Sequence, residues 1–175
     1  MQYDFGRTVE GGRFVRTSSL NRPLTVLLTA VTALRARHNL MDDRIVQYLG
    51  EMMQHYPKLE SKFTFQGSGS DRLFEATYDH QSNDNNCNSF DLQRLVSRTP
   101  RCSNPPAIHY GLIASPSQVM RDGRTRDRLR DDSDVLALCF EMEAAGLMGY
   151  FPCLVIRGIC DYAGPHKNKT WQGYT

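Results

Sequence analysis

The chain has 175 residues, 40% of them hydrophobic, which is enough for one core of ordinary domain size. Its 21 Lys and Arg stand against 19 Asp and Glu; the net charge of +2 is too small to attract nucleic acid or an anionic membrane from a distance, and a small-molecule partner fits better. Five cysteines without framework spacing point to free thiols in a reducing compartment, and no apolar run approaches the ~20 residues of a membrane helix.

Met1 is followed by polar Gln2, Tyr3 and Asp4 and not by a signal sequence, so an intracellular, cytoplasmic protein is expected. Residues 2–5 and 13–20 flank the turn-rich stretch 6–12 and predict two strands in a hairpin or flap. Pro23 suits a first helical turn, and Leu24, Leu27, Leu28, Val31 and Leu34 recur at helical spacing, so an amphipathic helix is predicted over 23–38. A second helix follows, capped by Asp42 or Asp43, with Ile45, Tyr48, Leu49, Met52, Met53 and Tyr56 on its apolar face and Pro57 as its stop. Both helices read as core.

Residues 58–107 are polar and irregular and read as a surface insertion, with a strand over 72–78 and a short helix over 90–97. Residues 81–86 have loop composition. His80 and Cys87 are metal-ligand types, but a zinc site needs four placed ligands and no Cys-x-x-Cys pair is present, so no metal is expected. Gly67-Ser68-Gly69-Ser70 lacks the Lys-Ser/Thr of a P-loop and reads as a turn. The charge cluster over 121–132 interleaves acids with bases; Asp127 with Arg124 and Asp131 with Arg128 make a solvated helix face, not a nucleic-acid patch.

The last third holds the apolar runs. Residues 135–140 read as one buried strand and 153–159 as another, with a helix over 143–150 between them. In such a strand-helix-strand unit the polar groups gather at the carboxyl ends of the strands, so Glu143 and Asp161 are expected on one sheet edge, where α/β proteins bind ligands. Alone, Glu143 would be a helix-start acid and Asp161 a turn residue. Arg157 reads as a paired structural charge and His109 as a packing residue, with His166 open between roles.

Three motifs in order carry a family likeness: His109-Tyr110-Gly111-Leu112-Ile113-Ala114-Ser115 followed by Val119-Met120, then Phe140-Glu141-Met142-Glu143-Ala144-Ala145-Gly146, then Arg157-Gly158-Ile159-Cys160-Asp161. Together they resemble the nucleoside phosphorylase superfamily, in its methylthioadenosine/S-adenosylhomocysteine nucleosidase-like branch. The run from Gln2-Tyr3-Asp4-Phe5-Gly6 to Trp171-Gln172-Gly173-Tyr174 extends the likeness over nearly the whole chain, toward the nucleoside phosphorylase domains of fungal multidomain proteins. The resemblance implies an α/β, three-layer fold with a mostly parallel central sheet, here incomplete at its N-terminal side and truncated at both ends. It implies homo-oligomers in the full-length family and fused NTPase or repeat modules in longer relatives. Pro116, without a backbone N–H, stands where the family has a glycine, and Gly164-Pro165 stands where relatives carry polar residues.

By the same resemblance the reaction is cleavage of the N-glycosidic bond of a purine nucleoside, without a cofactor and with phosphate as co-substrate if the cleavage is phosphorolytic. Such cleavage gives the sugar oxocarbenium character and the base excess electron density. Asp161 would donate a proton to the purine, its carboxyl kept neutral by burial beside Ile159 and Cys160. Glu143, as an anion, would accept hydrogen bonds from the ribose hydroxyls, and Met142 would cover the ribose face. The backbone at Val119 and Met120 would read the purine edge, with Ser115 alongside; Glu141 is open between the pocket and a structural hydrogen bond. The alternative is a catalytically inactive nucleoside-binding or assembly module of the same descent.

Overall fold

The computed structural model describes residues 2, 4, 6–12, 14–17, 22–80, 87, 89–101, 103–131 and 137–175. In chain order the elements are β1 (Gly6–Thr8), β2 (Phe14–Arg16), α1 (Thr25–Leu40), α2 (Ile45–His55), α3 (Glu60–Phe63), β3 (Ile113–Ala114), α4 (Gly123–Asp131), β4 (Cys139–Phe140) and α5 (Ala144–Met148), with short 3-10 turns between them. The chain is of mixed α/β class. It divides into two compact units, the first comprising Met1–Leu40, His109–Met120 and Thr125–Ile156, the second Met41–Ile108, Arg121–Arg124 and Arg157–Thr175.

In the first unit β1 and β2 form an antiparallel hairpin with Arg7 opposite Val15. The hairpin is as expected, but its first strand occupies the start of the predicted turn. Gly11 and Gly12, at φ 82° and 75°, carry the reversal two residues later, in a region that side chains with a Cβ avoid. α1 forms, although none of its residues is buried; Leu24 and Leu34 remain 53% and 45% exposed, so the core role expected of this helix is not what the chain shows.

The parallel pair of this unit is β3 with β4, Ile113 opposite Cys139 and Ala114 opposite Phe140. The backbone bonds Leu138 N to Leu112 O (2.8 Å) and Glu141 N to Ala114 O (2.9 Å) extend it on both sides. Gly111 lies so close to Leu138 that a Cβ there would overlap its side chain. Parallel neighbours need a long crossover, and residues 115–138, with α4, supply it.

This pairing corrects the predicted strand-helix-strand unit. The first apolar run contributes only Cys139–Phe140, residues 135 and 136 lying outside the described residues. The second, 153–159, joins no sheet among the described residues, and Ile156 is 83% exposed. A continuous apolar run becomes a buried strand only where neighbours take its backbone hydrogen bonds and cover both faces. Among the described residues no strand lies beside it.

In the second unit α2 starts where Asp43 Oδ1 accepts from Ile45 N (2.8 Å) and stops before Pro57. Ile45, Leu49, Met52 and Met53 are its half-covered stripe, while Tyr48 and Tyr56 face solvent; none is fully buried. Within the stretch 58–107, Phe74 is 3% exposed and touches the rings of Tyr78, Phe90 and, from the end of the chain, His166. The strand predicted over 72–78 is a single antiparallel bridge, Phe74 to Leu95, and the helix over 90–97 is one 3-10 turn, Leu92–Arg94, capped by Asp91. Gly67 and Ser68–Ser70 form the expected turn. The charge cluster of α4 has partners other than those predicted: in this unit Arg124 pairs with Asp79 (3.0 Å), and in the first unit Arg126 and Arg130 pair with Asp127 (2.7 and 3.8 Å). Among the described residues no helix is long and apolar enough to cross a membrane. Cys87, Cys139, Cys153 and Cys160 are free thiols.

Candidate functional site

The first unit gathers most of the predicted site residues. Ser115 follows β3 and Glu141-Met142-Glu143 follows β4, so both groups leave the carboxyl ends of adjoining parallel strands. Ser115 is 1% exposed, and its Oγ accepts from Ala145 N (2.7 Å), tying the end of β3 to the first turn of α5. Glu141 is 8% exposed, and its Oε2 accepts from Glu143 N (2.9 Å) and Ala144 N (3.0 Å), which satisfies two amides at the start of α5. The Glu141 carboxylate thus holds the backbone from which Glu143 projects. Glu143 and Met142 are themselves exposed, an anionic acceptor and a thioether side by side.

The loop after β3 is tied down from the N-terminal segment. Ser117 N donates to the Asp4 carboxylate, and Gln2 Nε2 donates to Ser117 Oγ (3.0 Å). Pro116 is buried, Met120 half-buried and Val119 exposed. Chemically, this is a rigid frame of backbone hydrogen bonds presenting one exposed carboxylate, suited to accept from hydroxyl groups.

Asp161 belongs to the second unit and does not end a strand. Its Oδ1 accepts from Ala163 N (2.7 Å) and its Oδ2 pairs with Lys167 Nζ (3.1 Å). Ala163 follows in the left-handed region, φ 49°. The apolar enclosure expected from Ile159 and Cys160 is not what surrounds the carboxylate, because Ile159 is 49% exposed and a cation stands against it. The Cys160 thiol, 3.9 Å from Asp161, is pushed up by burial and by the negative charge of Asp161. The next residue, Tyr162, donates to the Asp71 carboxylate and accepts from Arg98, which pairs with Asp71 (3.3 Å). Burial first, and then the hydrogen bond to Asp71, push the Tyr162 hydroxyl up to about 12.

A second group in this unit was only half visible in the sequence. His80, Cys87 and His166 present ligand-type atoms that all lie within 4.8 Å of one another. Burial pulls the His166 imidazole below the usual histidine range, against the opposing effect of the Tyr78 carbonyl. Sequence reasoning weighed His80 and Cys87 as ligands and left His166 open, without joining the three. It missed Lys167, six residues on, as the partner of Asp161. It also missed Asp4, whose loop contact has no short-range signal. His109, read as packing, is exposed.

The chain is 40% identical over 174 residues, 99% of its length, to a nucleotide-binding leucine-rich repeat (NLR)-like protein of Hyaloscypha variabilis (strain UAMH 11265 / GT02V1 / F). It spans 16% of that relative's length. No protein-family model matches the chain, and no solved structure matches it.

Proposed function

We propose that this chain is a nucleoside phosphorylase-like domain of the three-layer α/β type and that it cleaves the N-glycosidic bond of a purine nucleoside. The observation that carries the reading is the pairing of β3 with β4, which sets Ser115 and Glu141-Met142-Glu143 just beyond the carboxyl ends of adjoining parallel strands, the edge at which α/β sheets bind ligands. The three ordered motifs supply the chemistry. Glu143 accepts from the ribose 2′ and 3′ hydroxyls and stabilises positive charge developing on the ring, and Met142 packs on the ribose. Val119 and Met120 read the purine edge through their backbone. On the motif likeness alone, Asp161 passes a proton to the imidazole nitrogen of the leaving base. Phosphate or water takes the sugar.

The second reading is an inactive nucleoside-binding or assembly module. It is favoured by the apolar side chains left exposed, Tyr150 and Ile156 each at 83%, and by the match to one segment of a much longer relative. Release of free purine from adenosine, inosine and methylthioadenosine, with and without phosphate, separates the cases. Release that needs phosphate indicates a phosphorylase; release without it indicates a nucleosidase. Bound but uncleaved nucleoside indicates the second reading. In an active protein Asp161→Asn should lower turnover by about 10²–10⁴-fold, and unchanged turnover removes Asp161 from the mechanism.

A further inference from the structure

The rings of Phe74, Tyr78, His80, Phe90 and His166 form one aromatic cluster in the second unit, with Phe90 edge-on to His166 at 4.8 Å and His80 4.6 Å from Phe90. Three members of this neighbourhood carry electron-pair donors. Cys87 is 3% exposed, and its backbone sits at φ 51°, a left-handed conformation that side chains with a Cβ seldom adopt. Arg72 Nη1 donates to its carbonyl (3.4 Å).

His166 supplies the observation that distinguishes a ligand site from ordinary packing. Its Nε2 lies 2.7 Å from the Tyr78 carbonyl oxygen, which can only accept, so Nε2 carries the hydrogen. In the neutral ring Nδ1 is then the lone-pair nitrogen. Among the described residues that atom is buried without a hydrogen-bond partner. A buried acceptor left this way is destabilising, and a carbonyl on the opposite ring nitrogen is the arrangement that orients metal-bound histidines.

We propose that His80, Cys87 and His166 bind a zinc ion as a His2Cys site. Imidazole and thiolate together select zinc over the hard cations magnesium and calcium, which require oxygen. Around a tetrahedral zinc, bonds of about 2.0–2.3 Å set ligand atoms about 3.3–3.8 Å apart, so the three atoms draw in from the present 4.8 Å limit on binding. Binding releases the Cys87 proton to solvent as the sulfur–zinc bond forms, with no change of oxidation state. The fourth position falls to water. The ion joins the segment holding His80 and Cys87 to the distant segment holding His166 within one unit, an open site of three protein ligands, and it does not depend on the reaction proposed above.

The test is a Co2+ titration of the metal-stripped protein. One equivalent should give intense tetrahedral bands with a thiolate-to-cobalt charge-transfer band, displaced by Zn2+. Cys87→Ser should abolish the charge-transfer band, and His166→Gln or His80→Gln should weaken Co2+ binding by more than about 100-fold. Weak octahedral bands alone, or a charge-transfer band that survives Cys87→Ser, overturn the proposal. Because these variants can fail to fold, alkylation of the unaltered protein is a second arm. Zn2+ should protect Cys87 from iodoacetamide in peptide mass analysis while Cys139 and Cys153 stay reactive, and a Cys87 labelling rate indifferent to zinc overturns the site equally.

Discussion

Glu141 in the first unit and Asp161 in the second are both shielded carboxylates next to an expected site residue, yet they are held by different kinds of donor. Glu141 takes two backbone N–H groups at the start of α5 and is 8% exposed. Asp161 takes one backbone N–H and a lysine, with side-chain exposures of 22% for the acid and 30% for Lys167. Backbone amides cannot rotate away and are little affected by salt, whereas an ammonium on a four-carbon stem can leave, and is screened. The first arrangement therefore holds its position, whereas the second can open.

Removing the frame should cost most. Glu141→Ala orphans the Glu143 and Ala144 amides and should destabilise the protein by about 2–3 kcal/mol in urea unfolding, independently of salt, while Glu141→Gln, which keeps an acceptor, should lose less than about 1 kcal/mol. Equal losses in the two variants contradict the capping role.

Tyr162→Phe ranks next, at about 1.5 kcal/mol, because it removes the hydrogen bond to the Asp71 carboxylate. This effect has a pH window. A folded-state value of about 12 lies above the ordinary tyrosine value of 10.0, so between them the folded chain binds more protons than the unfolded one. The contribution is whole below pH 10 and is lost as pH rises to about 12. Urea midpoints measured across that range should fall for the parent and stay flatter for Tyr162→Phe.

Lys167→Met should have the smallest effect, about 0–1 kcal/mol, vanishing near 1 M salt where the screening length is roughly 3 Å. A Lys167→Met loss as large as that of Glu141→Ala, or one unaffected by salt, breaks the comparison between the two carboxylates.

Legibility in the sequence followed the range of the forces involved. Residues 23–38 and 45–56 announce α1 and α2 through spacing, and Pro57 through its missing N–H, because helices are local. Burial of those same helices could not be read from their stripes, since Leu24 and Leu34 need a neighbour to cover them. Residues 153–159 have the composition of a buried strand, but a strand exists only where another chain segment accepts its hydrogen bonds. In the candidate site, Ser115 and Glu141 to Glu143 were legible through motif order, whereas the lysine against Asp161 was not, because ion-pair choice depends on where side chains turn in space.

From the order of residues alone came the helices, a hairpin near the start of the chain, and the set of carboxylates worth watching, all matters of spacing within a few residues. Only the tertiary structure decided that β3 and not 153–159 pairs with β4, that Glu141 caps a helix, and that His166 meets His80 and Cys87. Those outcomes rest on contacts between segments far apart along the chain, whose loop-closure cost and packing return no local pattern encodes.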